Sequence, residues 1–144
     1  MAGVLPFSLR QRLSFLLGKL YMGALDLETE DLGRLGLNVK QHAALTLLAA
    51  EGAMTQQELG QRLGIDRTTI VAVVDGLERA DFVRRERSPA DRRAYLLTLT
   101  PEGEQAQRHG TRLVDTARRR LLAALDESDQ RVLVDLLTKA VYGD

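Results

Sequence analysis

Apolar residues recur with helical spacing along most of this chain and alternate like a strand in one short stretch. Leu9, Leu13, Leu16, Leu17, Leu20 and Ala24 share one helical stripe. That stripe predicts a first helix opening at Pro6-Phe7-Ser8, with Ser8 as its N-cap. Asn38 is placed to cap a second helix, with Ala44, Leu45, Leu47 and Leu48 apolar, ending at Gly52. Thr55-Gln56-Gln57-Glu58 has the form of a capping box and starts a third helix, which Gly64 closes. Asp66 caps a fourth, running to about Ala80.

Phe82 to Arg87 and Ala94 to Leu99 then read as two strands around a loop, Ser88 to Arg93. Thr100-Pro101-Glu102 is a helix start with proline at the first helical position. This fifth helix is expected to reach about Leu125, with Leu113, Val114, Ala117, Leu121 and Leu122 in one stripe. Asp126-Glu127-Ser128 opens the last helix, lined by Val132, Leu133, Leu136, Leu137 and Ala140.

Helix, turn, helix and basic hairpin, in that order, are the parts of a winged helix-turn-helix. The fold class is therefore mainly α with a small β-hairpin wing, carrying additional N- and C-terminal helices. The whole chain, 1–144, is read as a single domain, with the winged part over about 38–100 and the helix-turn-helix over about 55–79. The outer helices, about 8–34 and 101–142, carry apolar stripes that so small a core cannot cover. Such stripes are read as dimerisation helices, making a second copy of the chain the first expected partner.

With 144 residues the chain is long enough for a real core. The absence of cysteine removes disulfides, thiolate metal sites and thiol redox chemistry. No run approaches the ~18 apolar residues of a membrane span. A cytoplasmic protein with no membrane partner is expected. The zero net charge weighs against a nucleic-acid partner, but the charge is unevenly placed. Arg84, Arg85, Arg87, Arg92 and Arg93 face only Glu86 and Asp91 across the hairpin, whereas Asp26, Glu28, Glu30 and Asp31 form an acidic run elsewhere.

Turning the fourth helix about its axis puts Ile70, Val73, Val74 and Leu77 inward. Thr68, Ala72, Asp75 and Arg79 point outward, with Thr69 and Val71 on the flanks and Arg67 at the start. The small side chains of the first turns permit close approach to base edges in a major groove. Arg67, Thr68, Thr69 and Val71 are the candidate contacts there, with Gln56 and Gln57 as candidate clamps on the phosphate backbone. Asp75 and Arg79 read as a solvated i,i+4 pair. In the loop, Asp91 is expected to hold the Arg93 guanidinium in a bidentate pair for minor-groove insertion, leaving Arg92 for phosphates.

Tyr21, His42, Met54 and Arg112 are candidates for an effector pocket. His42 and His109 lack the spacing of a metal site, and no phosphate loop or nucleophilic triad stands out, so no enzyme, metal or cofactor is expected. Two functions fit these residues: a sequence-specific binder of double-stranded DNA, and a winged-helix protein-interaction module whose wing charges only solvate the surface.

The series Thr55-Gln56-Gln57-Glu58-Leu59, Ile65-Asp66-Arg67-Thr68-Thr69, Val74-Asp75-Gly76-Leu77-Glu78, Asp91-Arg92-Arg93-Ala94 and Leu99-Thr100-Pro101-Glu102-Gly103 resembles the MarR family of bacterial transcriptional regulators. The resemblance implies a homodimer that binds a pseudo-palindromic operator, usually as a repressor. It implies that Arg67, Thr68 and Thr69 enter the major groove and that Arg93, braced by Asp91, enters the minor groove. It further implies release by a small phenolic or aromatic effector bound between the dimerisation helices and the DNA-binding lobe. Ala80-Asp81-Phe82 departs from the family, which usually has glycine before the first wing strand. Asp81 is therefore expected to adopt a left-handed conformation. The lack of cysteine rules out the thiol-oxidation sensing of one branch.

Overall fold

The computed structural model describes residues 3–144. The elements are α1 (Phe7–Arg10), α2 (Leu13–Gly33), α3 (Val39–Glu51), α4 (Gln56–Leu63), α5 (Arg67–Arg79), β1 (Val83–Arg87), β2 (Tyr95–Leu99), α6 (Pro101–Leu121) and α7 (Glu127–Tyr142). They form two compact units, Glu28–Val114 and the pair of segments Met1–Leu27 and Asp115–Asp144, with the boundaries falling inside α2 and α6. Residues 1 and 2 of the domain expected from the sequence lie outside the described residues.

In the Glu28–Val114 unit, each helix starts where a side chain accepts a free first-turn amide. Asn38 and Gln41 form a reciprocal capping box at α3, as do Thr55 and Glu58 at α4. Asp66 caps α5 through the Thr69 amide at 2.8 Å. Gly64, at φ 66°, closes α4 in the left-handed conformation that lets α5 start three residues later. Leu32, Leu45, Leu59, Val74 and Leu77 are buried at the centre of these helices.

The two strands pair antiparallel, Val83 with Leu99 through Arg87 with Tyr95. On the other edge of β2, the Leu97 amide donates to the Met54 carbonyl at 2.8 Å, attaching the hairpin to the residue just before the Thr55 cap of α4. A two-stranded hairpin is marginal by itself, and this bridge gives it a third neighbour. Met54, one of the effector-pocket candidates, is a core residue at 7% exposure, held by that bridge and by the apolar contacts around Leu97.

Asp81 takes φ 59°, the left-handed conformation expected where the family has glycine. Its turn is clamped from the far end of the hairpin. The Thr100 hydroxyl donates to the Asp81 carbonyl at 2.6 Å and accepts from the Gly103 amide at 2.9 Å. Gly103 lies so close to Phe82 that a β-carbon would overlap its carbonyl oxygen and sit 2.8 Å from its carbonyl carbon. The Leu-Thr-Pro-Glu-Gly run is thus the joint between wing and α6.

In the other unit the first helix differs from expectation. The Pro6 carbonyl accepts the Leu9 and Arg10 amides, so Pro6 is the N-cap residue and Ser8 lies inside a four-residue turn. A new helix begins at Leu13. The helix from Pro101 stops at Leu121 instead of near Leu125. Gln130, buried at 4%, explains that end: its amide nitrogen donates to the carbonyls of Leu122 and Leu125, at 3.0 and 3.1 Å. Arg118 in turn donates to Gln130 Oε1 and pairs with Asp115 and Glu127. Among the described residues, no helix is long and apolar enough to cross a membrane.

Candidate nucleic-acid interface

The Glu28–Val114 unit places α5 with its apolar side on the core and its other side in solvent. Ile70, Val73, Val74 and Leu77 are buried, whereas Arg67, Thr68, Val71, Ala72 and Asp75 are exposed. Gln56, Gln57 and Arg67 line one groove between α4 and α5, together with Gly60 and Ile65. The first turns of α5 therefore offer small side chains flanked by amide donors and one cation, as close contact with base edges and phosphates requires.

Among the described residues, only Val71 and Tyr95 are large apolar side chains left exposed in this unit. Val71 stands on the solvent side of α5, where a methyl-bearing face suits thymine. Tyr95 stands below the wing tip with the Arg87 guanidinium 5.6 Å above its ring. Val71 is among the residues the sequence assigned to DNA contact, whereas Tyr95, on β2 just beyond the loop, is not.

Thr69 departs from that assignment in one respect. It is half-buried, and its hydroxyl donates to Asp66 Oδ2 at 2.8 Å. That proton is committed to the helix cap, so Thr69 offers a base its methyl and an acceptor but not a donor. The Asp66 carboxyl lies below the usual carboxylate range because it accepts first from the Thr69 amide and then from the Thr69 hydroxyl. A group with a depressed folded pKa stabilises the fold above its unfolded pKa and loses that contribution as pH falls through its folded value. Asp66→Ala is therefore expected to lower the melting temperature at neutral pH, with the gap to wild type closing at acid pH. Thermal melts at the two pH values check this; a gap that widens in acid contradicts it.

The wing tip is built by its backbone. The Ser88 amide donates to the Ala94 carbonyl at 2.9 Å, and the Ala94 amide to the Asp91 carbonyl at 3.0 Å. Asp91 Oδ1 accepts from the Arg93 amide at 2.9 Å. The expected bidentate pair between Asp91 and the Arg93 guanidinium is not formed. A short aspartate side chain reaches the amide two residues on more readily than the far end of an arginine, giving an Asx turn. Asp91 thus fixes the loop from which Arg92 and Arg93 project into solvent.

The expected Asp75–Arg79 pair is also absent, because Arg85 of β1 engages Asp75 from across the fold. Its Nη2 lies 3.3 Å from Asp75 Oδ1, its Nε 3.1 Å from Glu78 Oε2, and its Nη1 3.0 Å from Gln56 Oε1. Sequence spacing could not signal contacts 7 to 29 residues apart. Gln56, expected with Gln57 to clamp the phosphate backbone, is thereby oriented by the wing.

The other effector candidates are scattered. The His42 ring packs on α6, with Nε2 3.1 Å from the Gln107 carbonyl oxygen. A β-carbon at Gly110 would sit 2.7 Å from that nitrogen, so His42 fills the gap the glycine leaves. Arg112 lines a cavity with Leu35, Phe82 and His109, whereas Met54 lines a different one with Glu51 and Arg62. Tyr21 is exposed on the other unit.

A capped helix-turn-helix, a bridged two-stranded wing and an arginine-bearing tip define a winged helix-turn-helix protein. Residues 37–95 match the model of the MarR family. A Bacillus subtilis (strain 168) relative, the uncharacterised HTH-type transcriptional regulator YkoM, is 32% identical over 110 residues, covering 73% of this chain and 68% of its own. A Thauera aromatica protein named for regulation of the hcr operon is 30% identical over 109 residues, 76% of this chain and 66% of its own, just under two thirds of that relative's length. Among solved structures, the transcriptional repressor CouR bound to a 23-mer DNA duplex superposes with a TM-score of 0.85 at 28% identity, covering 97% of this chain and 99% of that one. CouR from Rhodococcus jostii RHA1 bound to p-coumaroyl-CoA superposes with a TM-score of 0.79 at 26% identity, covering 96% and 98%. The chain belongs to the MarR family of winged-helix transcriptional regulators.

Proposed function

We propose that this protein is a cytoplasmic transcriptional repressor that binds a pseudo-palindromic operator as a homodimer and leaves it on binding a small aromatic effector. The observation that carries the DNA reading is the pairing, in one compact unit, of a small-residue α5 face with a tip projecting Arg92 and Arg93. Arg67, Thr68, Val71 and the Thr69 methyl read the major groove. Arg93 enters the minor groove, Arg92 and the Gln56 and Gln57 amides hold phosphates, and Asp91 shapes the tip. The likeness to CouR on DNA supports this, and CouR with p-coumaroyl-CoA supports an aromatic effector.

The dimer rests on the other unit. Leu13, Tyr21, Met22, Leu136, Val141 and Tyr142 each leave 61–77% of their surface exposed. That concentration of apolar surface on the terminal segments suits an isologous interface with a second copy.

Selection from a randomised duplex library tests the proposal. The wild-type protein is expected to recover an inverted repeat whose half-sites lie about one helical turn, roughly 34–36 Å, apart. Sedimentation should give a dimer. A monomer that recovers no consensus would favour a protein-interaction module and overturn the reading.

A further inference from the structure

The Arg85 guanidinium, on the wing, reaches both helices of the helix-turn-helix. Val83, two residues earlier on the same side of β1, is buried in the core, which directs Arg85 across the α5 surface. The side chain is about two thirds covered and engages Asp75 and Glu78 on α5 and Gln56 at the start of α4. All five guanidinium donors lie along three edges, so one planar group can satisfy three separate acceptors at once.

Three consequences follow for an interface with DNA. The bonds tie β1, and with it the hairpin, to α5 and α4. They place a positive charge beside Asp75 and Glu78, two carboxylates on the recognition helix that would otherwise repel phosphates. They also occupy Gln56 Oε1, which leaves the Gln56 amide hydrogens as the part of that side chain available to an external acceptor. From this geometry we propose that Arg85 is a positioning residue. It sets the tip bearing Arg92 and Arg93 against the α5 face, and so contributes to operator selection without touching DNA. The proposal rests on the DNA reading above.

The two roles separate in salt dependence. A phosphate contact removed by mutation lowers the slope of log K against log salt by about one, whereas lost positioning leaves the slope unchanged. The probes are the duplex selected by the wild-type protein and a scrambled duplex of the same length and composition. Arg85→Gln is expected to bind the selected duplex about tenfold more weakly, comparable to the loss of one good base contact, with the wild-type salt slope and a smaller loss on the scrambled duplex. Arg85→Lys, a single ammonium, should recover only part of the loss.

The double variant Asp75→Asn/Glu78→Gln keeps Arg85 and makes the surface more positive. It is expected to bind the scrambled duplex at least as tightly as wild type while its preference for the selected duplex falls. Wild-type binding by Arg85→Gln, a flatter salt slope, or an equal gain on both duplexes for the double variant would overturn the inference. Should the wild-type protein select no consensus at all, the DNA reading fails and the inference with it. A clear consensus with unchanged variants defeats the inference alone.

Discussion

Gly103→Ala is expected to destabilise the protein by about 3 kcal/mol or more, lowering its melting temperature by roughly 10 °C. Intrinsic propensity gives the opposite sign, because alanine in a helix is about 1 kcal/mol better than glycine. Packing overrides that preference. The new methyl would overlap the Phe82 carbonyl oxygen and lie 2.8 Å from the carbonyl carbon and 3.1 Å from Cα. These are backbone atoms, so no rotamer change makes room. Moving them would disturb the Asp81 turn, which the Thr100 hydroxyl holds through its bond to the Asp81 carbonyl. Gly33→Ala is the control: a β-carbon there meets nothing within 4 Å. Calorimetry on the two variants should show a large loss for the first and little change for the second. A Gly103→Ala protein melting at or above wild type would contradict the described joint between wing and α6.

Local rules made much of this fold legible. Thr55 and Asp66 announce their helices because a cap is satisfied within three residues, and Gly64 ends α4 by its own backbone conformation. The two faces of α5 follow from helical period alone, and Asp81 had to turn left-handed once the family pattern set a turn there. Sequence reasoning failed where a distant residue supplied the deciding contact. Gln130 ends α6 by satisfying carbonyls up to eight residues away. Arg85 captures Asp75, so the local Asp75–Arg79 spacing did not matter. The contacts of His42 beside Gly110 and of Met54 with β2 also join residues far apart in sequence. At the wing tip, the Asp-x-Arg pattern suggested a bond from Asp91 to the Arg93 guanidinium, but the bond runs to the amide of Arg93.

That bond bears on the second large effect, the loss expected from Arg93→Ala. Because Asp91 holds the loop backbone, removing the Arg93 side chain leaves the tip conformation in place. The substitution then reports the side chain's own contact with DNA. An arginine in a minor groove acts through the strong negative potential there, and its removal is expected to cost about 1–3 kcal/mol, roughly five- to 150-fold in affinity. Asp91→Ala should weaken binding by another route, by loosening the loop, so its salt slope should stay near that of wild type.

The decisive measurement is a salt titration of wild type and Arg93→Ala on the selected duplex, with circular dichroism to confirm that both are folded. If α5 and the wing tip together grip DNA, wild-type affinity falls steeply as salt rises, and the variant binds more weakly with a slope flatter by about one. If both proteins bind the selected duplex with equal affinity and equal slope, Arg93 does not meet DNA, and the proposed two-groove reading is wrong.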